Sequence, residues 1–261
     1  MEVIIRPNEE EAALLTALLA AKAIKEKPNA VMGLATGRTM EGVYSLLVEL
    51  HQKGELDFSR VTTFNLDEYV GLDPTHEQSY RHYMEVNLFQ RVNIDPANTH
   101  LPNGVAADLD AECAAYEDRI RDSGGIDFQL LGIGRTGHIG FNEPLSAMFS
   151  RTRVKALTPE TVAQNGPLFG DPARMPRRAL TMGVGTILDA RRCVLLATGS
   201  EKADVIAKAV EGPITSMISA SALQMHPRCT VIVDEAAAVH LRNQEYYHWI
   251  FNNEPEWDEF R

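Results

Sequence analysis

Cysteine, basic charge and long apolar runs are all scarce in this sequence, and each scarcity removes a class of function. The three cysteines in 261 residues, Cys113, Cys193 and Cys229, stand far apart and form no CxxC pair. Such a set predicts free thiols in a reducing compartment rather than a disulfide framework. Lys and Arg number 25 against 36 Asp and Glu, for a formal charge of −11. A nucleic-acid binder needs a basic footprint to displace counterions, so no nucleic-acid partner is expected. The longest apolar stretch, Ala12 to Ile24, is short and interrupted by Thr16 and Lys22. It does not span a membrane. The start, Met1-Glu2-Val3 with Glu9-Glu10-Glu11 close behind, lacks the basic and apolar regions of a signal peptide. The expectation is a soluble, cytoplasmic protein.

Several catalytic signatures are absent as well. No HExxH or comparable ligand spacing links His51, His76, His82, His100, His226, His240 and His248, so no metal is expected. There is no P-loop, no GxGxxG fingerprint for a dinucleotide and no GxSxG nucleophile elbow. Cys113 falls within a helical pattern, which leaves nucleophilic catalysis without support.

What is present is an alternation of strand and helix patterns. Val3–Ile5, Ala30–Ala35, Val61–Leu66, Ile126–Leu131, Cys193–Ala197 and Cys229–Val233 read as strands. Asn8 caps a helix, with Glu11 in capping-box position and Leu14, Leu15, Leu18 and Leu19 as its apolar stripe. Further helices are expected up to His51, around Ser79–Leu88, from Asp108 to about Arg121, over Glu201–Val210 and over Ser219–Met225, with a loop from Asn93 to Asn103. No linker-like segment divides the chain. The pattern predicts one α/β domain over residues 1–261, a doubly wound, mostly parallel sheet with helices on both faces. Ligands of such sheets bind beyond the carboxyl ends of the strands, so residues just after strands deserve inspection.

Three such places carry chemistry. Thr36-Gly37-Arg38-Thr39 joins a buried strand to a helix, a turn that aims backbone N–H groups at an anion. Thr198-Gly199-Ser200-Glu201-Lys202 has the same layout with a lysine added. Asp67 ends an apolar strand and is a candidate general base. Because adjacent residues in extended chain face opposite sides, only one of Asp67 and Glu68 faces a given ligand. The densest stretch runs from Gly132 to Pro144, with glycines at 132, 134, 137 and 140, His138, and Glu143 five residues on. A carboxylate near an imidazole fixes its tautomer, so this pair is a candidate for proton transfer.

Phe64-Asn65-Leu66-Asp67-Glu68-Tyr69-Val70-Gly71-Leu72, Gly137-His138-Ile139-Gly140-Phe141-Asn142-Glu143-Pro144, Ser150-Arg151-Thr152-Arg153 and Ala179-Leu180-Thr181-Met182-Gly183-Val184-Gly185-Thr186 together resemble the glucosamine-6-phosphate deaminase family. The resemblance runs over nearly the whole chain and implies a small-molecule amino-sugar phosphate as substrate and no cofactor. It implies that His138 opens the sugar ring, Glu143 orients and charge-stabilises the imidazole, and Asp67 moves a proton from C2 to C1. Gly37, Arg38, Thr39 and Lys202 would hold the phosphate. Thr136 stands where the family usually has Asp or Asn and belongs to the ring-opening group without bringing a carboxylate charge. The stretch Val162–Phe169 lacks the arginine with which many members grip the phosphate, and Arg174, Arg177 and Arg178 are the candidates to replace it. Ser146, Arg153 and Lys155 match an allosteric site for N-acetylglucosamine 6-phosphate in some relatives, while a C-terminal tyrosine of that site falls on His248. Members range from monomers to hexamers, so a homo-oligomer is compatible with the resemblance.

Two alternatives stay open: a 6-phosphogluconolactonase-like hydrolase of the same fold, and a sugar-phosphate-sensing domain without catalysis. The overall charge does not oppose an anionic substrate. Between Arg151 and Arg192, eight basic residues stand against Glu160, Asp171 and Asp189, while Glu254, Glu256, Asp258 and Glu259 crowd the tail. Small anions respond to the local field in a cleft rather than to net charge.

Overall fold

The computed structural model describes residues 1–261. Strands β1 (Glu2–Arg6), β2 (Val31–Leu34), β3 (Thr62–Asn65), β4 (Asp67–Tyr69), β5 (Thr99–His100), β6 (Phe128–Leu131), β7 (Arg153–Ala156), β8 (Arg178–Thr181), β9 (Cys193–Ala197) and β10 (Cys229–Asp234) alternate with helices. The helices are α1 (Glu9–Glu26), α2 (Arg38–Gln52), α3 (Tyr80–Asn87), α4 (Leu109–Asp122), α5 (Pro159–Asn165), α6 (Val184–Leu188), α7 (Ala203–Val210), α8 (Glu235–Ala238) and α9 (Gln244–Asn253). No helix is long and apolar enough to cross a membrane.

Seven strands form a parallel sheet in the order β1-β10-β9-β6-β2-β3-β5. Strands β2, β6, β9 and β10 are buried along their whole length, as a sheet covered on both faces requires. Chain order reverses between β2 and β6, so the loops after these two strands splay apart and leave a crevice. The seam between them is short: Met32 pairs with Phe128 and Gly33 with Gln129. Gly33 leaves room there for the Gln129 side chain, whose Oε1 would lie 2.1 Å from a β-carbon.

Asn8 caps α1 by accepting a hydrogen bond from the Glu11 amide. The Glu11 side chain pairs with Arg6 at 3.1 Å instead of closing a capping box. The buried face of α1 carries Ala12, Leu15, Leu19 and Ile24, whereas Leu14 is exposed, so the apolar stripe is rotated from the leucine run alone. Ser219–Met225 is a 3-10 helix, and Thr99–His100 within the expected loop adds the edge strand β5.

One element goes beyond the single expected sheet. Strands β4, β8 and β7 form a small antiparallel sheet. The chain leaves the main sheet at Leu66, and Asp67 opens the second sheet opposite Thr181. Strands of three or four residues paired with partners this distant leave no periodic signature in sequence.

Candidate active site

The crevice at the chain reversal is a cleft of about 650 Å³. Gly37, Arg38, Thr39, Asp67, His138 and Lys202 all line it, although they come from four separate stretches of the chain. Thr136 and Glu143 lie behind His138 and reach the cleft through its ring.

At one end, α2 begins without any side-chain cap. The Met40 amide donates to the Gly37 carbonyl, which leaves the N–H groups of Arg38 and Thr39 free to bind an anion. Gly37 takes φ +120°, open to glycine, and its carbonyl accepts a hydrogen bond from the Tyr83 hydroxyl at 2.8 Å. The second glycine turn is arranged differently. The Gly199 amide donates to both carboxylate oxygens of Asp234 at 3.0 Å, so it is not available to a ligand. What this turn supplies is Lys202, whose ammonium donates to the Ile133 carbonyl at 2.9 Å. Burial pulls the Lys202 pKa down, and Arg135 adds to the effect while Glu201 opposes it.

Asp67 is 6% exposed, and no hydrogen-bond donor of the protein reaches its carboxylate. Burial pushes its pKa well above the ordinary carboxylate range, and the neighbouring Glu68 charge adds to the shift. Glu68 faces the other way, as the strand alternation requires, and accepts from the amides of Tyr69, Tyr80 and Arg81. Gly140, at φ +55°, leaves room beside Asp67. A β-carbon there would lie 2.8 Å from Thr181 Oγ1 and 3.5 Å from Asp67 Oδ2.

His138 turns Nδ1 away from the cleft, 3.2 Å from Glu143 Oε2 and 2.6 Å from Thr136 Oγ1. Thr136 in turn donates to Glu143 Oε2 at 3.3 Å. The Nε2 side of the ring packs over Gly134, where a β-carbon would lie only 2.0 Å away. Glu143 is buried, which by itself raises its pKa. Hydrogen bonds from His138 and Thr161, the imidazole charge and the Thr158 amide reverse that and bring it down to about 2. Its second oxygen, Oε1, accepts from the Thr158 amide and hydroxyl and from Thr161 Oγ1. Thr158 is the N-cap of α5, so the carboxylate behind His138 also anchors the segment that overhangs the cleft.

That segment contributes Gln164, Asn165, Leu168 and Phe169 to the cleft wall. Asn165 donates to the Tyr69 hydroxyl at 3.1 Å, and Tyr69, Tyr80, Phe141 and Phe169 form an aromatic cluster. Sequence reasoning missed this wall. Tyr69, Phe141 and Phe169 lie in stretches already singled out, but for other residues, and nothing in sequence brings them together with Tyr80. The arginines considered for the phosphate do not reach the cleft. Arg174 and Arg178 are exposed outside it, and Arg177 donates to the Pro172 carbonyl at 3.2 Å beside a separate groove. Arg135, not considered as a ligand, does line the cleft. No group of three or more His, Cys, Asp or Glu side chains converges as a metal-ligating set.

Ser146, Arg153 and Lys155 lie outside the cleft. Arg153 donates to Asn142 Oδ1 at 2.9 Å and to Ser146 Oγ at 3.0 Å, and Lys155 follows two residues on in β7. His248 is exposed on α9, the helix that packs against β1 at the far edge of the sheet.

Known proteins share this fold and much of this sequence. A family model described as glucosamine-6-phosphate isomerases/6-phosphogluconolactonase matches residues 8–232. A glucosamine-6-phosphate deaminase of Hahella chejuensis is 51% identical over 250 residues, covering 96% of this chain and 95% of the relative. Glucosamine-6-phosphate deaminase 2 of Bacillus subtilis is 49% identical over 248 residues, covering 94% of this chain and 100% of the relative. The solved structure of a monomeric glucosamine-6-phosphate deaminase superposes with a TM-score of 0.90 at 45% identity, over 92% of this chain and 100% of that one. A 6-phosphogluconolactonase from Trypanosoma cruzi has a TM-score of 0.73 at 21% identity, over 92% and 97% of the two chains, a likeness of fold alone. By fold, matched length and identity, this chain belongs to the glucosamine-6-phosphate isomerase/6-phosphogluconolactonase family.

Proposed function

We propose that the protein is an enzyme that converts glucosamine 6-phosphate and water to fructose 6-phosphate and ammonia. One observation carries this reading: a desolvated carboxylate with no protein donor, Asp67, and a carboxylate-backed imidazole, His138, line the same cleft. Relatives near 50% identity over almost the full chain, named glucosamine-6-phosphate deaminases, support it.

The phosphate lies against the open first turn of α2, with Arg38, Thr39 and Lys202 as further donors. His138 takes the proton of the anomeric hydroxyl and returns it to the ring oxygen, which opens the ring. The imidazolium formed on the way is balanced by Glu143, already ionised and held in place by Thr158 and Thr161. Asp67 then removes the C2 proton of the open-chain sugar, giving a cis-enolamine, and delivers it to C1. One carboxylate serves both carbons because they are adjacent on the same face of the intermediate. Water adds to the resulting C2 imine and ammonia leaves. A carboxylate pushed up by burial is a stronger base than one in water, which suits it to a carbon acid.

A lactone hydrolase of this fold needs one base to activate water and has no use for a second, desolvated carboxylate, so Asp67 favours the deaminase. The test is purified protein with glucosamine 6-phosphate and no added cofactor. Ammonia and fructose 6-phosphate are expected in equal amounts. Binding without turnover would favour a sensor, and accelerated opening of 6-phosphogluconolactone without ammonia release would favour the hydrolase.

Regulation is part of the same reading. Arg153 is half-buried among neutral partners, which leaves its charge available to an anion together with Ser146 and Lys155. Running the assay with and without N-acetylglucosamine 6-phosphate tests this. Activation is expected in the wild type and is lost in Arg153→Gln.

A further inference from the structure

The cleft holds a cation that neither the acid–base group nor the α2 turn accounts for. Arg135 is exposed and lines the cleft, and its guanidinium forms no hydrogen bond or ion pair within the protein. It occupies the tip of a tight turn, closed by Gly137 N–H donating to the Gly134 carbonyl at 2.9 Å and Gly134 N–H to the His138 carbonyl at 2.9 Å. The next residue, Thr136, turns inward to His138 and Glu143. Lys202 is anchored on the same loop, through the Ile133 carbonyl. Ile133 stands two residues before Arg135, which puts the two cations at the same end of the cleft.

A phosphate dianion needs more than one positive group when it leaves water, and a guanidinium offers two parallel donors where an ammonium offers a point charge. The overhanging segment supplies Gln164, Asn165, Leu168 and Phe169 to the cleft, and no cation among them. Glu41, Glu77 and Glu201 also line the cleft, so the α2 turn and Lys202 act against a background of negative charge.

We propose that Arg135 is a substrate-binding residue that grips the phosphate group together with Lys202 and the first turn of α2. This rests on the function proposed above for its substrate, but not for the anion itself. The grip comes from the loop that carries His138, so the phosphate fixes the sugar directly against the acid–base group.

The test compares wild type, Arg135→Gln, Arg135→Lys and, as a control of equal charge change, the exposed Arg60→Gln. Two readouts are taken: steady-state kinetics with glucosamine 6-phosphate, and calorimetric binding of inorganic phosphate. Arg135→Gln should raise KM and weaken phosphate binding by roughly tenfold or more, with kcat nearly unchanged. Arg135→Lys should recover part of both, and Arg60→Gln should match wild type. Phosphate affinity and KM unchanged in Arg135→Gln would overturn the proposal, as would a fall in kcat alone, which would make Arg135 a support for the His138 turn. If the wild type turns over no glucosamine 6-phosphate, the functional reading fails, and phosphate binding still decides the role of Arg135.

Discussion

Thr136 Oγ1 lies 2.6 Å from Nδ1 of His138, closer to the imidazole than the carboxylate behind it. The hydroxyl accepts from the ring nitrogen and passes its own proton toward Glu143 Oε2, 3.3 Å away. A single atom thus serves as relay between base and counter-charge. Thr136 adds no charge, so Glu143 alone carries the negative charge beside the imidazole at neutral pH.

Removing the relay should be costly and adding a charge should gain little. Thr136→Val deletes the hydroxyl and should lower kcat about tenfold with a small change in KM, since one hydrogen bond to a charged group is lost. Thr136→Asp sets a second carboxylate against Glu143, and their repulsion pushes Glu143 up from about 2. Its kcat should rise only slightly. A large rise would show that the native threonine limits the rate.

Space over the imidazole is as necessary as its partners. In Gly134→Ala the new methyl occupies the place of His138 Nε2, 2.0 Å away. The ring must swing out, and displacement of this kind costs roughly 10²-fold in kcat. The backbone at 134 suits any residue, so circular dichroism and melting should stay near wild type.

Asp67→Asn separates activity from stability. Loss of the base should reduce kcat by roughly 10²–10⁴-fold. Burial raises the Asp67 pKa, so its ionisation works against the folded state, and that penalty grows as pH rises through the raised value. The variant should therefore melt a few degrees higher than wild type at neutral or alkaline pH, with the difference closing in acid. Wild-type turnover should fall on the acid side at a pH above the ordinary carboxylate range.

Glu143 has the opposite sign. Its pKa falls from 4.5 to about 2 on folding, so its stabilisation is complete above 4.5 and is lost as pH drops toward 2. The contribution is on the order of 3 kcal/mol. Chemical denaturation across that window should show wild type losing stability more steeply than Glu143→Gln, by close to one proton. Equal slopes would contradict the assignment of the carboxylate as the anchored counter-charge.

Much of this was legible in the residues. Asn8 caps its helix as read, the main strands fall where apolar runs lie, and Asp67 and Glu68 point to opposite sides by simple alternation. The loops after β2 and β6 are expected ligand sites because such sheets bind ligands beyond the carboxyl ends of their strands. What escaped depends on distant partners. Nothing near Glu143 in sequence announces Thr158 and Thr161, and nothing near Lys202 announces the Ile133 carbonyl. The small antiparallel sheet was invisible because pairing Asp67 with Thr181 is a tertiary event. Gly199 has the sequence of a second anion turn, but its amide donates to Asp234, a partner 35 residues away.

The short seam between β2 and β6 should also set when the enzyme becomes competent during folding. Only two residue pairs join the strands whose loops carry Arg38 and His138, and at one of them a β-carbon on Gly33 would displace the Gln129 side chain. Bringing those strands together closes a long stretch of chain, a slow step compared with forming α1 or α2 locally. Helical signal should therefore recover early after dilution from denaturant, while catalysis waits for the seam.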